Sequence, residues 1–132
     1  MIGTPPILKH QDIVREILFL LTLIARKVGG KAYTAPVEVR LDQHNILEPD
    51  VLYIKPNNLA ITQQDEKRII GAPDLIVEVL SSTTAKNNRE QKYKTYQRHG
   101  VGEYWIVDPV HDVIEVWTLG DDGMFKRQGA YD

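Results

Sequence analysis

The strand-like segment over residues 74–80, DLIVEVL, constrains the fold of this chain more than any other feature. Side chains alternate between the two faces of a strand, and both faces of this segment are apolar apart from Glu78. The pattern predicts a central strand in a sheet that is covered on both sides. An ionised carboxylate in such a place is costly unless it is paired, neutralised or bound to a metal. We therefore expect a compensating group beside Glu78.

Size and charge limit the class of protein. The chain has 132 residues, 42% hydrophobic and 26% charged, as expected for one soluble domain over residues 1–132 with a flexible lead over residues 1–9. A net charge of −2 argues against indiscriminate nucleic-acid binding but allows a local basic site. Cysteine is absent, so disulfides and thiolate metal sites are excluded. The apolar run over residues 17–25 is too short for a membrane span, and with no visible signal peptide we expect a cytoplasmic protein.

The remaining periodicity predicts an α/β domain with a mixed sheet between helices. One helix is predicted over residues 10–28 and ends at a glycine pair. A second is predicted over residues 83–99, with Ser81 or Ser82 as its cap. The predicted strands cover residues 31–41, 46–55, 74–80, 102–109, 113–119 and 124–130.

The first predicted helix has two apolar sides. Its main stripe is predicted to face the sheet and consists of Ile13, Ile17, Leu20, Leu21, Ile24 and Val28. Phe19 and Leu23, four residues apart, lie on the opposite side. An apolar patch there needs a second partner, which a dimer interface or a further segment of chain would supply.

The second predicted helix has positively charged side chains on the face that is predicted to pack on the sheet. The residues that share its inward face at about 100° per residue are Ala85, Arg89, Lys92, Tyr93 and Tyr96. The tyrosines mark the buried side, so Arg89 and Lys92 need an anion, and Glu78 and Asp50 are the candidates. One interpretation is an internal ion pair. The other is a Mg²⁺ site of two carboxylates, a backbone carbonyl and water, with a lysine that orients or deprotonates an attacking water.

Five segments together resemble a known family. They are HQDIV, VEVRLDQHNILEPDVLYI, GAPDLIVEVLSSTT, KYKTYQRHGVGEYWIVDP and IEVW. In this order they resemble the bacterial Uma-type family of uncharacterised restriction endonucleases, within the PD-(D/E)XK nuclease superfamily, from His10 to about Leu119. The resemblance implies a restriction-endonuclease-like mixed β-sheet flanked by helices. It also implies Mg²⁺-dependent cleavage of DNA, with Mn²⁺ as a substitute metal.

The resemblance also assigns site residues. Asp50 would be the first metal ligand, Glu78 the second and the carbonyl of Val79 the third. The superfamily's lysine, two residues after the second acid, is replaced here by Leu80. Lys92 then takes the catalytic role of that lysine, and its inward phase on the predicted helix agrees with the assignment.

Other polar residues are weaker candidates. Arg89 is the alternate cation, and His10 and Gln11 would contact the substrate or the carboxylates. A plain capping role for His10 stays open as well. Asp74 lies about 13 Å from Glu78 along the strand, too far to share one metal, so a structural role is expected for it.

Two functions remain open. The first is a Mg²⁺-dependent DNA endonuclease that acts as a homodimer, because each site of such an enzyme cuts one strand. The second is a binding or assembly module that kept the fold and lost catalysis. Leu80, the acidic net charge and the absence of the longer N-terminal lead usual in the family favour the second.

Overall fold

The computed structural model describes residues 8–81 and 85–131, and for residues 85–88 and 130–131 it describes the backbone alone. The helices are α1 (Leu8–Val28), a 3-10 helix (Pro56–Thr62) and α2 (Ala85–Arg98). The strands are β1 (Lys31–Thr34), β2 (Val39–Arg40), β3 (Ile46–Leu47), β4 (Val51–Ile54), β5 (Ile69–Ile70), β6 (Leu75–Val79), β7 (Glu103–Asp108), β8 (Val113–Leu119) and β9 (Phe125–Tyr131). The predicted cap at Ser82 lies outside the described residues.

The strand β6 lies inside a six-stranded sheet, as its apolar pattern predicts. The strand order is β1-β4-β6-β7-β8-β9. The crossover through α2 makes β6 and β7 parallel, and the other neighbours are antiparallel. All of β6 is buried. The mixed sheet with flanking helices confirms the predicted α/β class.

Two predicted strands are wrong in extent, because each divides between two sheets. Residues 31–41 form β1 of the large sheet and β2 of a three-stranded sheet with the order β3-β2-β5. Residues 46–55 divide in the same way into β3 and β4. Pro36 and Pro49 lie between the paired pieces, and proline has no N–H to donate to a strand ladder.

Different helices cover the two faces of the large sheet. Ile17 of α1 packs in one apolar cluster with Val77 of β6. Tyr96 of α2 packs in the other cluster with Ile76. Because neighbouring side chains of a strand point to opposite faces, Glu78 points toward α2, on the same side as Ile76.

The sheet-facing stripe of α1 is narrower than predicted. Ile17 and Leu21 are buried, but three predicted members are exposed by 46–59%, namely Leu20, Ile24 and Val28. Val14 and Ala25, outside the predicted stripe, pack against the core beside Ile17 and Leu21, so the buried side of α1 is rotated away from Leu20 and Ile24. Phe19 and Leu23 are exposed as predicted. Despite these apolar residues, no helix in the described part of the chain is long and apolar enough to cross a membrane.

Candidate active site

The two predicted acidic residues meet where β4 begins and β6 ends. The antiparallel register sets Val51 opposite Val77, so Asp50, one residue before β4, is level with Glu78. The backbone N–H of Val79 donates a hydrogen bond of 2.7 Å to Oδ2 of Asp50. The Asp50 carboxylate is thereby held against the backbone of β6.

Glu78 is the buried anion that the sequence requires to be compensated. Its side chain is 8% exposed, and Nζ of Lys92 lies 3.3 Å from its Oε2 atom. The hydroxyl of Tyr96 donates a second bond of 2.7 Å to the same oxygen. Burial raises the pKa of the Glu78 carboxyl above its ordinary value, while Lys92 and Tyr96 act in the opposite direction. Of the two cations that were predicted to face the sheet, Lys92 is the one that compensates Glu78.

Tyr96 is a site residue that sequence reasoning missed. The helix phase predicts its burial, and the structure shows that its ring is fully buried with its hydroxyl on Glu78. Burial, followed by the charge of Glu78, raises the pKa of Tyr96 far above its ordinary value. The phenol therefore keeps its proton and acts as a donor. Its spacing could have identified it as a site residue, because Tyr96 follows Lys92 by four residues and therefore lies on the same face of the helix.

Arg89 does not pair with Glu78 or Asp50. Its Nη2 atom binds Oε2 of Glu115 on β8. The indole N–H of Trp117 donates a 3.2 Å bond to the other oxygen of Glu115. Glu115 was also missed, because its partner Arg89 lies on α2, far away in sequence, and no local pattern reveals the pair.

His10 approaches the acidic pair from the first turn of α1. Its Nε2 atom lies 3.7 Å from Oδ1 of Asp50, and its side chain is only 15% exposed. Gln11, the other weak candidate on this helix, is exposed and does not line the cleft. The structure therefore brings His10 into the site and leaves Gln11 outside it.

A cleft of about 190 Å³ opens over these groups. Its lining residues are His10, Glu48, Asp50, Glu78, Val79, Leu80, Ser81, Arg89, Lys92 and Tyr104. Glu48 is a further exposed acid that the sequence analysis did not select, although it lies two residues before Asp50. The cleft thus combines acidic residues, two cations and a histidine.

The donor set fits a hydrated Mg²⁺ rather than a metal enclosed by protein. Within residues 8–81 and 85–131, no three histidine or acidic side chains converge as a metal cluster. Mg²⁺ usually keeps several waters and takes one or two carboxylates. Asp50 and Glu78 are each held by protein groups through one oxygen, Oδ2 and Oε2. Within the described residues no hydrogen bond reaches Oε1 of Glu78 or Oδ1 of Asp50, although Nε2 of His10 lies 3.7 Å from the latter, so these are the two oxygens that would hold a metal.

Asp74, the acid of the second Pro-Asp pair, has the structural role that was predicted. Its Oδ2 atom accepts a 2.7 Å bond from the backbone N–H of Lys55 and a 3.1 Å bond from the side-chain amide of Asn58. The carboxylate fastens the start of the 3-10 helix to the start of β6. Asp74 does not line the cleft.

The fold is that of a nuclease-like α/β protein. A crystal structure from Anabaena variabilis ATCC 29413, described as a putative nuclease belonging to DUF820, matches with a TM-score of 0.77 at 19% identity. The match covers 99% of this chain and 72% of that chain. This likeness confirms the restriction-endonuclease-like fold.

The sequence match is to a family. The model of the family described as Uma2, putative restriction endonuclease, matches residues 1–131, and the chain belongs to that family. The predicted resemblance is therefore confirmed. Among curated proteins, no sequence matches the chain.

Proposed function

We propose that this protein is a Mg²⁺-dependent endonuclease that hydrolyses DNA phosphodiester bonds in the cleft formed by Asp50, Glu78 and Lys92. The observation that carries the proposal is the convergence of two carboxylates and one lysine from three separate elements. Membership of a family described as restriction endonucleases supports DNA as the substrate. Two copies acting together would offer one cleft to each strand of a duplex.

The chemistry is assigned to residues as follows. Asp50, Glu78 and the carbonyl of Val79 would hold Mg²⁺, which supplies a Lewis acid that polarises a phosphate and lowers the pKa of a bound water. Lys92 holds the attacking water and stabilises the negative charge that develops on the phosphate oxygens. Arg89, on the cleft wall, binds a neighbouring phosphate. The water oxygen bonds to phosphorus and releases one proton to the solvent, one P–O bond breaks, and the leaving oxygen takes up one proton from the solvent.

Nicking of supercoiled DNA tests this assignment. The wild type is expected to nick DNA with Mg²⁺ or Mn²⁺ and to stop when the metal is chelated. Glu78→Gln and Lys92→Met should each reduce the rate by about 100-fold or more while the protein still melts cooperatively. Glu66→Gln, a change at an exposed glutamate outside the cleft, is the matched control. Equal rates for Glu78→Gln and this control would reject the site.

A catalytically inactive module with the nuclease fold is the second candidate. Leu80 stands where the superfamily carries its lysine, and Lys92 is already paired with Glu78. If this candidate is right, the wild type leaves DNA intact at every Mg²⁺ and Mn²⁺ concentration. Its melting temperature then responds to neither metal, and Lys92→Met changes stability alone.

A further inference from the structure

The exposed side of α1 carries a continuous apolar surface. The side chains of Phe19, Leu20, Leu23 and Ile24 are exposed by 57%, 58%, 45% and 46%. At 100° per residue these four positions lie within about 140° of the helix circumference. We call them the outer face of α1. Single exposed apolar residues are normal, but a contiguous group of this kind marks an interaction surface.

Two opposite charges lie at the ends of the outer face. Glu16 precedes it by about one turn and Lys27 follows it by about one turn, and both are exposed. These two residues are eleven positions apart, so they lie within about 20° of each other on the helix. Both lie near the angular centre of the outer face. At the first end the guanidinium of Arg15 lies 3.2 Å from Oδ1 of Asp12 and 3.3 Å from Oε1 of Glu16, so these three residues carry one net negative charge. At the other end Arg26 and Lys27 are both basic. The surface is therefore acidic at one end, apolar in the middle and basic at the other.

We propose that the outer face of α1 binds the same face of a second copy of this chain, with the two helices antiparallel. A two-fold axis level with the midpoint between Leu21 and Thr22 relates the copies. Glu16 and Lys27 are then equally far from the axis, by about 8 Å along the helix. Each Glu16 lies level with Lys27 of the second copy, and the apolar residues meet between the two ion pairs.

The charges of Glu16 and Lys27 favour antiparallel helices over parallel ones. Parallel helices in the same register would place Glu16 beside Glu16 and Lys27 beside Lys27, and like charges in contact oppose association. The antiparallel pairing turns both contacts into attractions and makes the surface self-complementary, as a two-fold interface requires. The inference stands on this surface alone and does not rest on the proposed nuclease activity.

Charge reversal tests the pairing. The wild type is expected to sediment as a dimer that dissociates on dilution. Glu16→Lys and Lys27→Glu should each raise the dimer Kd by about tenfold or more, whereas the double variant should restore it to near the wild-type value. Glu90→Lys, on the exposed side of α2, is the control. A monomeric wild type, or a double variant as weak as the single ones, would overturn the proposal.

The absence of cysteine allows an independent test of direction. A disulfide needs Cα atoms within about 7 Å. Leu23→Cys lies close to the proposed axis and should crosslink to its own copy on mild oxidation. Glu16→Cys lies about 16 Å from its counterpart along the helix and should not. Parallel helices in the same register would crosslink at both positions, so crosslinking at Glu16→Cys would reject the antiparallel arrangement, and a lack of crosslinking at Leu23→Cys would reject the proposed axis.

Discussion

Replacing Lys92 by methionine tests whether this lysine compensates the buried charge of Glu78. The substitution keeps an unbranched side chain of similar length and removes the cation that lies 3.3 Å from Oε2 of Glu78. Tyr96 remains as a hydrogen-bond donor to that oxygen. The variant therefore measures how much one positive charge beside Glu78 contributes to the free energy of unfolding.

The expected loss of unfolding free energy is about 2 kcal/mol at neutral pH. Removing one partner of a fully buried ion pair costs about 3–5 kcal/mol, and an exposed pair contributes about 0–1 kcal/mol. Here the Glu78 side chain is 8% exposed and the Lys92 side chain 33% exposed, so an intermediate value applies. For a domain of this size, such a loss lowers Tm by about 6–10 °C.

The loss of unfolding free energy changes with pH, because it depends on whether Glu78 is charged. Burial holds the pKa of Glu78 in the folded protein above its ordinary value, and without Lys92 that pKa rises further. A carboxyl group whose pKa is higher in the folded state than in the unfolded state stabilises the fold while the pH is below its unfolded-state pKa. This stabilisation is lost as the pH rises through the folded-state pKa. The deficit of Lys92→Met should therefore be small near pH 4.5 and grow toward about pH 8.

Urea unfolding followed by circular dichroism at about pH 5 and pH 8 measures this deficit. Lys94→Met is the matched control, because Lys94 lies on the same helix with its side chain exposed to solvent. The reasoning is refuted if Lys92→Met loses no more stability than this control at pH 8. A deficit of the same size at both pH values would equally show that the charge of Glu78 is not what Lys92 balances.

Two other substitutions separate the roles of the remaining contacts. Tyr96→Phe removes the hydroxyl that binds Glu78, and urea unfolding should show a loss of about 1–2 kcal/mol; an unchanged free energy of unfolding would contradict this. Asp50→Asn keeps a side-chain acceptor for the N–H of Val79 but loses the charge. Its stability without metal should stay within about 1 kcal/mol of the wild type, while thermal melting should lose any Mg²⁺-dependent shift; a retained shift would place the metal elsewhere.

Local patterns predict the centre of this structure well. Alternation along β6 identifies a buried central strand, and the helix phase of α2 brings Lys92 toward it; both follow from residues close together in sequence. The same phase predicts that Tyr96 is buried but does not say what its hydroxyl binds. That contact depends on how far α2 lies along the sheet, which only the assembled fold determines.

The errors share a physical cause, which is that contacts between distant parts of the chain decide these features. The segments over residues 31–41 and 46–55 have strand-like sequences throughout, and no local signal tells which sheet each half joins. Leu20 and Ile24 belong to a regular apolar stripe, yet the packed helix turns Val14 and Ala25 toward the core and leaves Leu20 and Ile24 exposed. Arg89 finds Glu115 on β8, a pairing that requires the distant register of three strands.

The hydrogen bond between Asp50 and the N–H of Val79 affects how relatives of this protein should be compared. It joins the start of one strand to the end of its neighbour, so the same carboxylate serves the architecture as well as the proposed chemistry. A descendant that abandoned catalysis would still gain from keeping this aspartate. Its retention in a homologue is therefore weak evidence of activity, and the same holds for Lys92, which balances the buried charge of Glu78.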